Sequence, residues 1–143
     1  NIHNGILNLG YEFVSVRKDD IEVFVTMPSI NSASMSGSGK LDINGNFPAQ
    51  NLFRLTISGS SNTNVNDVFN ADEVSVTISG SGDANLEKIQ SNRGDVKISG
   101  SGDARLSVQN TLKARISGSG KIYYTGNAAV DSEISGSGTV IKF

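Results

Sequence analysis

Ile-Ser-Gly-Ser-Gly occurs four times in this chain, at Ile78–Gly82, Ile98–Gly102, Ile116–Gly120 and Ile134–Gly138. Looser copies stand at Met35–Gly39 and Ile57–Ser61. A catalytic loop is needed once, so a pentad written six times is architecture. Counted from the first residue of each copy, the intervals are 22, 21, 20, 18 and 18 residues. A period of this size that tolerates small insertions describes a solenoid in which each repeat is one coil stacked on the last. Glycine and serine recur inside every unit without a 3.6-residue apolar stripe, which argues against helical repeats.

Alternation by two fits instead. With the Ile or Met of each pentad as position zero, position −2 holds Ala33, Leu55, Val76, Val96, Ala114 and Ser132. Position +6 holds Leu41, Thr63, Ala84, Ala104, Ile122 and Val140; position +8 holds Ile43, Val65, Leu86, Leu106, Tyr124 and Lys142. These mostly apolar columns are expected to face inward on stacked strands. The odd positions are polar and face water. Among them Arg115–Glu133 and Asp103–Lys121 are expected as opposite charges on neighbouring coils, while Asp83 beside Asp103 carries a like-charge penalty.

Thirteen residues of unbroken parity, from −4 to +8, would span roughly 43 Å if straight, too long for one side of such a coil. The strand must therefore bend inside the pentad. The corner is assigned to Gly37, Gly39, Gly59, Gly80, Gly82, Gly100, Gly102, Gly118, Gly120, Gly136 and Gly138, read as inward-facing positions that need no side-chain room. The serines between them point outward.

The reading is one all-β domain over 1–143, a single-stranded parallel β-helix, with 1–34 as leading strands and 35–143 as six coils. In the leading part Ile21, Val23, Val25 and Met27 alternate with polar residues or Phe24 up to Pro28, and "ILNLG" and "YEFVSV" read as earlier strands joined by the turn "RKDD". Asn4-Gly5 and Asn44-Gly45 signal turns, and "NGNFPAQN" a protruding loop.

The segment "IEVFVTMPSINSASMSGSGKLDI", followed by "ISGSGDAxL" coils, resembles the "putative auto-transporter adhesin, head GIN domain" family over about residues 20–143, although Ser61 stands where the motif has glycine. Residues 1–19 resemble the second part of that domain's leading segment. The resemblance implies a right-handed β-helix of a bacterial envelope, periplasmic or secreted protein with an adhesin-like role. It supplies no catalytic residues.

Composition narrows function further. The net charge is 12 − 14 = −2, which gives no electrostatic footprint for nucleic acid or an anionic membrane. Without cysteine there is no disulfide, thiolate catalysis or cysteine zinc site. No apolar run is long enough for a transmembrane segment, and no signal peptide is visible. The chain opens on "NIHNGILNLG" without methionine, which reads as a mature or shortened form.

The catalytic motifs fail one by one. A serine hydrolase needs a base, and the only histidine is His3. "SGSGK" at Ser36–Lys40 and Ser117–Lys121 lacks the first glycine and the terminal Ser/Thr of a P-loop. Nonapeptide calcium repeats require half this period. No cofactor or metal is expected. Ice binding by the serine columns is disfavoured by the bend and the adjacent charges.

Two readings retain candidate residues. A non-catalytic binding module for a surface glycan or protein would use exposed aromatics, with Tyr123, Phe47 and Phe24 as candidates together with Asp83 and Asp103. The alternative is a polysaccharide hydrolase or lyase, with Asp83 and Asp103 about 5 Å apart by strand spacing, near the separation of a retaining pair. A purely structural envelope module would use neither. The uncapped "GTVIKF" suggests end-on pairing into a homo-oligomer.

Overall fold

The structure, a computed structural model, describes Ile2–His3, Ile6–Leu7 and residues 24–143. Strands β1 (Ile2–His3) and β2 (Ile6–Leu7) pair antiparallel. The others are β3 (Ser32–Gly37), β4 (Lys40–Ile43), β5 (Gln50–Gly59), β6 (Asn62–Val65), β7 (Phe69–Gly80), β8 (Asp83–Gly100), β9 (Asp103–Gly118), β10 (Lys121–Thr125), β11 (Ala129–Gly136) and β12 (Thr139–Lys142). All ten join one parallel sheet that winds into six stacked coils. Among the described residues there is no helix.

Register follows the pentad. Met35, Ile57, Ile78, Ile98, Ile116 and Ile134 lie opposite one another in succession, and so do the glycines two residues later. The apolar columns point inward as their alternation requires: Leu55, Ile57, Ile78, Val96, Ile98, Ala104 and Ala114 are buried, as are Leu86 and Leu106. Register holds in the last coil but burial is lost there, every residue of β11 being exposed, as is Lys142. The period shortens from 20 to 18 residues at the fourth coil through register shifts at Leu86/Gln90 and Ser91/Arg93. Three residues are dropped at the first shift and one is added at the second, and 3 − 1 = 2 accounts for the change.

The pentad is a corner, but its two glycines do different work. Those at +2 are not buried inward positions. Gly100, for example, has φ +128°, a left-handed conformation, and a Cβ there would strike the carbonyl of Gly80 in the preceding coil. Glycines at +4 do face inward and are buried from Gly82 onward. A Cβ on Gly102 would come within 2.9 Å of the Ile78 Cγ2 methyl, one coil back, and would strike the Gly82 carbonyl. The same methyl lies 2.6 Å from a Cβ on Gly82, from Ile57, and 2.7 Å from one on Gly120, from Ile98.

Ser61 departs from glycine where that methyl is missing. It is the one +4 residue with a side chain, and it follows the one coil with Met rather than Ile at position zero. Met35 has no β-branch to block it. Ser61 is fully buried, and its hydroxyl donates to the Gly37 carbonyl at 3.1 Å.

In the leading part, Phe24–Met27 is irregular rather than strand, correcting that expectation; among the described residues no strand pairs with it, and Phe24 is 89% exposed. Ile21–Val23, "YEFVSV", "RKDD" and the Asn4-Gly5 turn lie outside the described residues. The stack's first strand opens at Ser32, inside the segment read as leading.

The expected ion pairs also differ. Arg115–Glu133 and Asp103–Lys121 are register neighbours, yet neither closes within 4 Å. Arg93 instead bridges Asp72 at 2.7 Å and Glu73 at 3.5 Å, and the Asn92 amide donates to Asp72 at 2.9 Å. Those hydrogen bonds, from Asn92 first and then Arg93, hold the Asp72 carboxyl below the usual aspartate range.

Two outcomes follow. Met35→Ile places a β-branch beneath Ser61 and is expected to cost about 1–3 kcal/mol in urea unfolding. Adding Ser61→Gly should relieve it, with about 1 kcal/mol or more of favourable coupling. Asp72→Ala should lower the melting temperature at pH 7. Because the folded-state pKa is depressed, that stabilisation exists above the unfolded value and disappears as pH falls through the folded one. Thermal melts of the two proteins should therefore converge below the usual aspartate range.

Candidate functional site

The corner divides each coil into a pre-corner and a post-corner run. Outward positions +5 and +7 of the post-corner runs form two columns along the stack. Strand register sets Lys40, Asn62 and Asp83 in succession, then Asp103, Lys121 and Thr139. Asn64, Asn85, Arg105 and Tyr123 follow in the next column.

The +5 column has a main-chain task. The corner interrupts the sheet, and the first N–H after it needs an acceptor. Asp83 N–H donates to Asn62 Oδ1 at 3.2 Å, Asp103 N–H to Asp83 Oδ1 at 2.9 Å, and Lys121 N–H to Asp103 Oδ1 at 2.9 Å. After a lysine, which has no acceptor, the backbone substitutes: Asn62 N–H donates to the Gly39 carbonyl and Thr139 N–H to that of Gly120. Asp83 and Asp103 therefore stand side by side because each holds the coil above it. Their second oxygens, Oδ2, have no partner in this ladder.

Between the two columns runs an open groove of about 320 Å³. Asp83, Asp103 and Tyr123 line it, joined by Lys40, Asn62, Asn85 and Arg105. Three of the five residues expected from the sequence are thus brought together. The Arg105 guanidinium lies 4.8 Å from the Tyr123 ring centroid and 5.7 Å from that of Phe143, so one face of each ring is occupied. Tyr123 is half-buried.

The other two aromatics lie elsewhere. Phe47 does not project from its loop as an exposed aromatic. It turns inward and meets Phe69 edge-on at 5.6 Å, and Phe69 in turn meets Phe53 at 5.8 Å. A second open depression, about 290 Å³, lies between Val25–Pro28 and Asn44–Phe47. Phe24 is exposed but does not line the groove.

Asn62, Asn85 and Arg105 were not singled out from sequence. The alternation that placed Asp83 and Asp103 outward also places Asn85 and Arg105 two residues further on, and that was the available signal. At the far end, among the described residues, β11 and β12 each have a strand neighbour on one side only, and Val130, Ile134, Ile141 and Phe143 are exposed.

The sequence profile of the family described as "Putative auto-transporter adhesin, head GIN domain" matches residues 1–87 and 69–128, and the chain belongs to this family. No curated protein matches the sequence. Two solved structures are similar. A "putative lipid binding protein" from Parabacteroides distasonis is 26% identical with a TM-score of 0.59, over 78% of this chain and 52% of that one. A "putative adhesin" from Bacteroides fragilis is 20% identical with a TM-score of 0.61, over 81% of this chain and 62% of that one. The chain spans between half and two-thirds of those proteins' length.

Asp103→Ala removes the acceptor for Lys121 N–H and is expected to lower stability by about 0.5–1.5 kcal/mol. Asp103→Asn should be nearly neutral, because Asn62 fills the same role two coils earlier. Chemical denaturation of the two variants distinguishes a carboxylate needed for the fold from an acceptor needed for the fold.

Proposed function

We propose that this domain is a non-catalytic binding module of the bacterial cell envelope or cell surface, adhesin-like, which holds a glycan or protein ligand against the outer face of its post-corner strands. The observation that carries the reading is the groove itself: donors and acceptors fixed in columns by the stack, open to solvent along their length. Family membership supports the adhesin-like role and the envelope location.

The enzymatic alternative assigns acid and nucleophile roles to Asp83 and Asp103. Each already gives Oδ1 to a neighbouring backbone N–H, and the structural need for an acceptor accounts for their adjacency. A lipid ligand, as the Parabacteroides protein's name suggests for that protein, is less favoured here. Stacked Ile, Leu and Val fill the interior. At the open end, antiparallel pairing of two copies of β11 about Ser132 would set Asp131 of each against Glu133 of the other, which disfavours that one register of self-association.

Screening the labelled domain against bacterial and host polysaccharides and surface proteins, with product analysis on every hit, is expected to give saturable binding without turnover. Product release abolished by Asp83→Asn would establish the enzyme instead. Silence on a folded sample would leave a structural module.

A further inference from the structure

We infer that the groove takes an uncharged, hydroxyl-rich oligosaccharide laid along the stack axis, across the strands, with Asp83 and Asp103 as its central acceptors. This rests on the binding-module reading above and names the ligand class.

Shape comes first. From Lys40 to Tyr123 the lining crosses five successive coils, four steps of about 4.8 Å, or roughly 19 Å. Its width is the separation of two outward positions on one strand, about 7 Å. A trough of this width is too narrow to seat an α-helix, whose diameter with side chains is about 10–12 Å. An extended peptide gains affinity by adding to a sheet edge. The groove is no edge, since the strands beneath it are paired on both sides in the middle coils.

Chemistry narrows the class further. Lys40 and Arg105 balance Asp83 and Asp103 in the lining, 2 − 2 = 0, so no excess of either sign attracts a polyanion such as nucleic acid or polyuronate. The surrounding groups have their polarity fixed by the fold. Asn62 Oδ1 accepts from Asp83 N–H and Asn85 Oδ1 from Glu87 N–H at 3.4 Å, which turns both amide NH₂ groups into outward donors. Asp83 and Asp103 keep Oδ2 as acceptors. Donors and acceptors therefore face each other across the trough, Asn85 opposite Asp83 and Arg105 opposite Asp103, an arrangement that suits sugar hydroxyls, each of which both donates and accepts. The aromatic contribution is limited to Tyr123 at one end, with Arg105 against one face of its ring.

The test uses calorimetric titration of neutral hexasaccharides (cellohexaose, laminarihexaose and β-1,4-mannohexaose) with hexagalacturonate as the charged comparator. At least one neutral hexasaccharide is expected to bind, with affinity rising from the disaccharide to the pentasaccharide and at least tenfold tighter than hexagalacturonate. Asp83→Asn with Asp103→Asn should weaken that binding at least tenfold while leaving the melting temperature unchanged, since Asn62 already performs the structural task. A preference for hexagalacturonate, or binding indifferent to the double substitution, would overturn the inference. Saturable binding in the broader screen by a protein or polyanion alone would also overturn it while the binding module stands. Silence toward every glycan and protein would remove both.

Discussion

One contact recurs at every corner of this molecule: the N–H of the second pentad serine donates to the carbonyl of the +2 glycine in the coil before. Ser60 to Gly37, Ser81 to Gly59, Ser101 to Gly80, Ser119 to Gly100 and Ser137 to Gly118 all fall at 2.8–2.9 Å. The approach is close enough that any Cβ on the later glycines would displace the backbone beneath. Hydrogen bonding thus holds register through the very turn where a sheet would normally lose it. The buried isoleucine column and the outward polar columns inherit their alignment from this rail.

Alignment is what makes an outer face usable for recognition. A side chain on an isolated strand has a direction but no fixed neighbour along the perpendicular. Here each outward residue has a counterpart one coil away, and side chains such as Asn62, Asp83 and Asp103 are immobilised further because they accept backbone N–H groups. Preorganised polar groups lose less conformational freedom on binding. The groove is therefore a by-product of solving the hydrogen-bond problem at the corner.

Much of this was legible in the chain before any coordinates. The repeat interval, the parity of Leu55, Ile57 and Thr63, and the bend at the pentad all follow from period and alternation. What was hidden depends on contacts between coils. Phe47 lies in a loop whose composition suggests exposure, and only Phe69, 22 residues later, draws it inward. Asp83 beside Asp103 looked like a penalty, because a column of residue types does not reveal an unpaired N–H at the same height. The leading alternation around Val25 is strand-like, yet among the described residues Phe24–Met27 has no strand partner, and strand propensity without a partner does not make a strand.

The pairing of Met35 in one coil with Ser61 in the next has a bearing on how such an array can grow. Residue choice at +4 depends on position zero of the coil beneath, so each repeat carries an imprint of its predecessor. Duplicating the second coil in tandem would set a new serine over Ile57, whose β-branch fills that space for Gly82. Deleting it would set Gly82 over Met35, which a glycine tolerates. Loss and gain of repeats are therefore unequal steps in this lineage, and the imperfect pentad marks a junction whose order cannot be freely shuffled.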